Sequence, residues 1–422
     1  MRSVEDARAA AVERAPFLGG EKVEVLSALG RAAAEDVIAA FNHPRWDKSA
    51  MDGFAFRAVD TQRATEASPV RLHITETLTA GGEAGSALSP GEAVRIMTGA
   101  VLPPGADAVL PLEEAQAENG FLRLDRSARQ GQYVRKAGDE IRRGARLLER
   151  GEEIRPAHID SLATMGRTHV EVGRRPAAAV FSTGDEVVEP EDHRTVERAL
   201  GHGQFYCSIN YYMAALVMEA GGLPLRAGIA EDRVDALVER LLRCVHADAV
   251  IITGGTGKGD KDLVEPAMRR AGVEVVYKNV AMWPGTYSAF GLLGRALVFN
   301  VPGNPSAAHL CFELLVRPAL RKMAGFRRLN PTPRKVCLGA GLRVKAREGL
   351  PNYLRGRVAQ DPSDGSWVAM PWRSEDLPPS RMNAFLVVPA GVEKLEAGDS
   401  VAAHLFSPPE ESEPVRSSRP EH

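Results

Sequence analysis

Cysteine is scarce: four residues in 422, Cys207, Cys244, Cys311 and Cys337, stand far apart and form no C-x-x-C pair. Neither a zinc site nor a disulfide framework follows, and a reducing cytoplasm fits that usage. Charge of one sign is missing too, since 53 basic residues nearly cancel 55 acidic ones to leave a net charge of -2. That balance recommends neither nucleic acid nor an anionic membrane as partner, and no basic stretch is interleaved with aromatics as nucleic-acid binding would want. No apolar run approaches a membrane span, and the charged start Met1-Arg2-Ser3-Val4-Glu5-Asp6 lacks the apolar core of a signal peptide. There is no internal repeat.

What is present is ordinary bulk, 44% hydrophobic and 26% charged, in a chain long enough for two to four domains at roughly 100–200 residues each. One stretch stands out, 247–262. Ala249, Val250, Ile251 and Ile252 read as a strand buried on both faces, which is how central parallel strands look. It runs into Gly254, Gly255, Gly257 and Gly259, whose backbone can take positive φ and turn its N–H groups toward a ligand, while Lys258 and Lys261 add positive charge. An anion such as phosphate is the natural guest, with Asp260 and Asp262 as oxygen ligands for a bridging metal. The spacing matches neither the dinucleotide nor the P-loop pattern. The plainer alternative is a tight strand-to-helix turn with solvated charges.

The surrounding text predicts a helix over 3–16, a strand and short helix over 21–34, and a loop at 42–53 carrying Asp47 and Asp52. A β-rich module follows over 56–139, in which Thr98 ends a strand at a turn. A helix is predicted over 154–165. From residue 174 strands and helices alternate: strands at 177–181, 223–229, 249–252, 273–278 and 296–299, helices at 210–220, 233–245, 262–271 and 307–323. Such alternation predicts a doubly wound parallel sheet, with ligands at the carboxyl ends of its strands. Three polar clusters lie there: Ser182-Thr183-Gly184-Asp185-Glu186, the glycine loop, and Asn300 to Ser306, whose Pro305 and Ser306 suit a first helical turn that favours an anion. After a proline linker at 327–333 the text is β-rich again, and the Pro/Glu/Ser-rich tail reads as disordered.

Together Asp47 to Ala55, Arg95 to Ala100, Phe181 to Glu186, Thr253-Gly254-Gly255 and Val301-Pro302-Gly303-Asn304-Pro305 resemble the molybdopterin molybdenumtransferase family, the molybdenum insertases that include the E domain of gephyrin. The likeness runs in order over residues 1 to about 408. It implies an α/β multidomain fold: a molybdopterin-binding α/β domain over 1–19 and 174–327, a split linking domain over 20–40 and 140–173, a β-rich domain over 41–139, a C-terminal β-barrel over 328–408, and a disordered tail over 409–422. It also implies a homodimer whose cleft is completed by the second subunit's β-rich domain. The implied reaction takes adenylylated molybdopterin and molybdate, hydrolyses the phosphoanhydride with release of AMP, and delivers molybdenum to the dithiolene. Asp52, Thr98, Glu186 and Asp262 would be catalytic, with Asp52, Glu186 and Asp262 holding Mg²⁺. Ser182, Thr183, Gly184, Asn210, Gly254, Gly255, Thr256, Gly257, Pro302, Gly303, Asn304 and Arg355 would bind the pterin nucleotide and oxyanion. Other proteins of molybdenum-cofactor biosynthesis are implied partners.

The chain departs from the family pattern in places. Where the family usually reads Lys-Pro-Gly-Lys-Pro, Trp283-Pro284-Gly285-Thr286-Tyr287 stands, without the two lysines expected to hold molybdate. Gly254-Gly255-Thr256-Gly257-Lys258 is similar instead to the related molybdopterin adenylyltransferases. Cys207-Ser208-Ile209-Asn210 replaces the usual Tyr-Asp-(Ser/Thr)-Asn, keeping the Asn at 210, and Lys48 stands where Asn is common. Two readings remain: an insertase, or a family fold that binds pterin or a partner with insertion altered or lost.

Overall fold

The alternating stretch that begins near residue 174 folds into one six-stranded sheet with helices on both faces. In the computed structural model, which describes residues 1–82, 84–190, 200–256, 263–330, 332–345, 347, 349–361, 363–372 and 379–409, its strands are β1 (Ala177–Thr183), β2 (Leu223–Ala230), β3 (Ala249–Thr253), β4 (Glu274–Lys278), β5 (Ala289–Leu293) and β6 (Ala296–Val301). Their spatial order is β2-β1-β3-β6-β5-β4. β2, β1, β3 and β6 are parallel, in register from Ala178↔Ala249↔Leu297 to Ser182↔Thr253↔Val301. The sheet differs from the predicted all-parallel one at its far side. β5, which the alternation pattern did not reveal, is joined to β6 by a two-residue turn and runs antiparallel to both β6 and β4. So short a link permits nothing else, because a parallel neighbour needs a crossover of a dozen or more residues.

The central strands are apolar on both faces because both faces are covered. Ala178, Val180, Ile251 and Phe299 join one core with the helix Val4–Arg14 and with α1 (Ser208–Glu219). Phe181, Val250, Ile252 and Val298 join the other with α2 (Val234–Arg243) and α3 (Val264–Arg270). Full burial of a Val or Ile side chain contributes about 1.5–3 kcal/mol, so these strands need no polar face. The first helix begins where Ser3 Oγ accepts from the Asp6 amide at 3.0 Å, with Glu5 and Asp6 at the positive end of the dipole. The helix predicted over 262–271 starts at Val264.

After β6, the rod predicted over 307–323 is α4 (Pro305–Cys311), a π turn (Phe312–Val316) and α5 (Arg317–Met323). Pro318 has no N–H to give to the carbonyl four residues back, and its ring crowds that carbonyl. A wider turn just before it relieves both problems.

Three smaller bodies surround the sheet. Gly20–Glu24 pairs antiparallel with His169–Gly173, and Val37–Ile38 with Arg146–Leu148, so two segments distant in sequence build one core around Leu148, Ile154 and Leu162. A second six-stranded sheet orders Ala108–Pro111, Gly53–Phe56, Glu92–Ile96, Val70–Leu78, Phe121–Leu124 and Gln116–Glu118. Strands Arg334–Leu338, Trp367–Pro371, Asn352–Gln360, Ala384–Val388 and Ser400–Leu405 close a five-stranded barrel. The tail expected to be disordered lies, over 410–422, outside the described residues.

The seam between the first body and the α/β core leaves no room for a side chain at Gly173. A Cβ there would sit 1.9 Å from the Ala324 carbonyl oxygen. Both partners are backbone, so neither can swing away. Gly173→Ala is expected to lower unfolding stability by about 2–3 kcal/mol, read as a shift of the urea midpoint at unchanged slope.

Candidate active site

The carboxyl ends of β1, β3 and β6 open on one cleft of about 740 Å³. It lies where the chain leaves β1 for the outer strand β2 and returns to β3 on the other side, the switch point at which doubly wound sheets take ligands. Each wall comes from a different loop. Ser182 and Thr183 end β1, with Gly184 and Glu186 after them; Cys207, Ser208 and Ile209 open α1; Asp232 follows β2; Thr253 ends β3, with Gly254 to Thr256 after it; Gly303 and Asn304 lead into α4.

Backbone geometry explains the glycines. Gly254 and Gly255 have φ of +95° and +60°. A Cβ would fall 2.9 Å from the Thr183 oxygen at Gly254 and 2.4 Å from Val264 Cγ2 at Gly255, so the loop fits only without side chains. Asn300, buried on β6, fixes it from beneath, its Nδ2 donating to the Ile252 and Gly254 oxygens at 3.3 and 3.0 Å. Across the cleft Asn304 Oδ1 accepts from the Ser306 and Ala307 amides at 3.0 and 3.3 Å, an N-cap that sets the start of α4 at the rim.

Asp232 is the residue that sequence reading missed. Its carboxylate accepts the Thr183 hydroxyl proton, and its amide donates to Asp185 Oδ1 at 3.2 Å. The signal was available: Glu231-Asp232 ends a predicted strand on the ligand side, as the three chosen clusters do. Deeper in, Ser182 Oγ and Cys207 Sγ lie 3.3 Å apart, and the buried Thr253 hydroxyl has no partner among the described residues.

Several predicted site residues stand elsewhere. Asn210 is 0% exposed. It faces away from the cleft, its Nδ2 donating to the Gly228 oxygen at 2.9 Å and Glu189 Oε1 at 3.3 Å, so it ties α1 to β2. One step along a helix turns a side chain by about 100°, and that step gives the cleft to Ile209 instead. Pro302 does not line the cleft but carries the chain from β6 to Gly303. Gly257 and Asp262, with Lys258, Gly259, Asp260 and Lys261, lie outside the described residues.

Asp52 and Thr98 lie just beyond the ends of the paired strands Gly53–Phe56 and Glu92–Ile96 of the second sheet and do not line the cleft of their own chain. They form a unit: Asp52 Oδ1 accepts from the Thr98 amide at 2.6 Å and hydroxyl at 2.7 Å. The amide, then the hydroxyl, hold the Asp52 carboxyl below its ordinary value, with the Arg95 charge assisting. Thr98→Val is therefore expected to raise the Asp52 pKa in a carboxylate NMR titration, because the hydroxyl stabilises only the ionised form.

Arg355, on the barrel strand Asn352–Gln360, is half-buried beside Tyr212. Desolvation lowers its pKa from the usual guanidinium value, and its Nε has no acceptor among the described residues. Trp283 and Thr286 are also settled. Thr286 is 5% exposed and donates to the Met282 oxygen at 2.5 Å, so position 286 faces the core. Trp283 carries the Arg347 guanidinium carbon 3.5 Å from its ring centre.

Comparison with known proteins decides the family. A family profile described as the MoeA N-terminal region (domain I and II) matches residues 2–166, and one described as a probable molybdopterin binding domain matches 179–322. The molybdopterin molybdenumtransferase of Bacillus subtilis is 34% identical over 397 residues, covering 92% of this chain and 90% of its own length. The chain belongs to the molybdopterin molybdenumtransferase family.

Other members agree with that placement. Molybdopterin molybdenumtransferase 1 of Mycobacterium tuberculosis is 34% identical, with 95% of this chain and 98% of its own length covered. The crystal structure of the molybdopterin biosynthesis MoeA protein from Pyrococcus horikosii superposes with a TM-score of 0.81 at 30% identity, covering 96% of this chain and 99% of that one. The family works in molybdenum-cofactor biosynthesis, and the sheet-edge cleft falls inside the matched molybdopterin-binding region.

Among the described residues no three His, Cys, Asp or Glu side chains gather as a metal site. Mg²⁺ does not need three, since it commonly keeps several waters and takes one or two carboxylates plus substrate phosphate. Glu186 and Asp232, hard oxygen donors on walls of one cleft, fit that requirement.

Proposed function

We propose that this chain inserts molybdenum from molybdate into adenylylated molybdopterin, releasing AMP, as a cytoplasmic homodimer with the four-domain division set out above. The observation that carries the reading is the cleft itself. A glycine wall lets a phosphate approach the backbone closely, and the carboxylates of Glu186 and Asp232 line the same space. The Ser182 hydroxyl faces the same space and would donate to a phosphate oxygen, while the Thr183 hydroxyl gives its proton to Asp232. Asp232 orients the Thr183 hydroxyl. Glu186 and Asp232, with Asp262, would hold Mg²⁺, which when bound supplies charge to offset that developing on the departing phosphate. Arg355, half-buried and with no acceptor for its Nε among the described residues, would hold an oxyanion through its paired N–H groups.

The homodimer reading is supported by Asp52 and Thr98, which belong to the proposed machinery yet do not line the cleft of their own chain. A second copy would bring them to it. Mixing Asp52→Ala with Glu186→Gln protein is expected to restore AMP release that each lacks alone, because a mixed dimer rebuilds one intact cleft. No restoration, with mixed dimers demonstrated by differential tagging, would count against shared sites. The insertion reading itself is tested by adding molybdate to the chain with adenylylated molybdopterin; AMP release no higher than in Asp52→Ala ends it.

A second reading, pterin binding with altered insertion, is favoured by Thr286, whose buried position cannot hold a charge for molybdate. Trp283→Lys alone tests it cleanly, because a lysine at 286 would also be buried. Molybdate-dependent turnover created by that single change supports the second reading; wild-type turnover equal to it supports insertion.

A further inference from the structure

A second cavity, of about 400 Å³, opens where the helix Pro156–Thr164 begins and the rod running from α4 to α5 ends. The sheet-edge cleft lies at the start of that rod, so at about 1.5 Å per residue the two openings stand roughly 25–30 Å apart along it. Its walls belong to the first small body and to the end of the α/β core, which meet backbone to backbone: the Arg327 amide donates to the Gly151 oxygen at 2.8 Å. Four arginines, Arg155, Arg321, Arg327 and Arg328, line the space against two glutamates, Glu152 and Glu153.

Two of the arginines are already committed. Arg321 Nη2 lies 3.1 Å from Glu153 Oε2, its Nε donates to the Arg328 oxygen at 2.9 Å, and its guanidinium carbon is 3.8 Å from the Phe326 ring centre. Arg327 pairs with Glu149. Arg155 and Arg328 are exposed and have no carboxylate partner among the described residues. The glutamates are engaged as well, since Glu152 Oε2 accepts from the Glu149 amide at 3.2 Å and Glu153 holds Arg321. His158 Nδ1 accepts from the Arg155 amide at 3.0 Å, which places the proton of the neutral ring on Nε2 and makes that edge a further donor. What the cavity has left over is therefore positive charge and N–H groups.

We propose that this junction cavity binds a dianionic phosphate group through Arg155 and Arg328, with the His158 Nε2 proton as a third donor. A carboxylate is used up by one guanidinium fork, whereas a phosphate monoester keeps three terminal oxygens and can serve two. At about 400 Å³ the space exceeds what a bare phosphate fills and falls in the range of organic-ligand pockets, roughly 300–1,000 Å³, so a small phosphate monoester fits it better than the free ion. Arg155 stands on the first small body and Arg328 on the proline linker that leads to the barrel, so one ligand held by both ties the linker down. The site shares no lining residue with the sheet-edge cleft and goes beyond the insertion reading.

The test is calorimetric titration of the full chain with ribose phosphate, inorganic phosphate and ribose, for wild type, Arg155→Met, Arg328→Met and Arg155→Lys. Losing one charge-assisted pair corresponds to about 10-fold to 100-fold in affinity. Each methionine variant is expected to lose that much for ribose phosphate with an unchanged melting temperature, because neither arginine is buried or paired. Arg155→Lys should recover part of it, since charge returns without the planar fork, and ribose should not bind. Inorganic phosphate bound more weakly than ribose phosphate supports a monoester; equal affinity with the same losses in the variants makes free phosphate the ligand. Ribose phosphate bound as tightly by both methionine variants as by wild type overturns the proposal, because the ligand then sits elsewhere, the sheet-edge cleft included. A wild type that binds neither phosphate overturns it too.

Discussion

Glu313→Ala is expected to lower unfolding stability by about 3–5 kcal/mol, since it removes one member of a buried ion pair and leaves the other. Glu313 and Arg317 are 4% and 7% exposed. Arg317 Nε and Nη2 donate to the two carboxylate oxygens at 2.8 and 2.7 Å. Glu219, more exposed, takes Arg317 Nη2 at 3.2 Å and would retain part of the balance in the variant. His309 extends the group: its Nε2 lies 3.5 Å from Glu313 Oε1 and its Nδ1 2.7 Å from the Tyr212 hydroxyl. Urea unfolding checks the loss. Glu313→Leu with Arg317→Met should cost much less than either change alone, because no charge is then stranded.

The same pair sets a pH dependence. Burial opposes ionisation of Glu313, but the His309 imidazole and the Arg317 guanidinium outweigh it and hold the carboxyl below its ordinary value. A carboxylate depressed in the folded state contributes stability that is present above its unfolded pKa and lost as pH falls through its folded one. Wild type should therefore lose this contribution only below the unfolded glutamate value of about 4.3, while Glu313→Ala shows no such component.

Glu186→Gln and Asp232→Asn are each expected to reduce AMP release by about 10²–10³-fold, the scale on which removing one electrostatic contact to a developing charge acts. The two acids should separate in how they fail. The Glu186 side chain, exposed on the cleft wall, has no hydrogen-bond or ion-pair partner among the described residues, so its loss falls on turnover. Asp232 holds the Thr183 hydroxyl, and an amide oxygen accepts that bond more weakly than a carboxylate, so Asp232→Asn loosens this wall of the cleft and should also raise KM for the adenylylated pterin. Turnover and KM measured separately check this, and a wild-type kcat in Glu186→Gln would remove it from the mechanism.

Legibility from sequence followed the range of the interaction involved. The central strands were readable because two buried faces demand an uninterrupted apolar run, and a glycine loop after such a run marks the ligand side of a sheet. Helix starts at Ser3 and Asn304 were readable because capping is local. Asn210 was misplaced because a helix phase error of one residue moves a side chain from the cleft to the core. Asp232 stands after a strand on the ligand side, which marks it as a candidate, but the sequence does not show that it meets a hydroxyl, because an acid in a turn looks the same when it faces water. Glu313 and Arg317 read in the sequence like any exposed pair four apart.

The sequence by itself determined the family, the parallel core and the loops at its strand ends, since each depends on residues close together in the chain. The tertiary structure alone decided what meets across the chain: that Asp232 closes on Thr183, that β5 turns back beside β6, and that Arg347 lies on Trp283. The first and last of these join residues tens of positions apart, and in all three the partner is chosen by packing and burial, which no local pattern records.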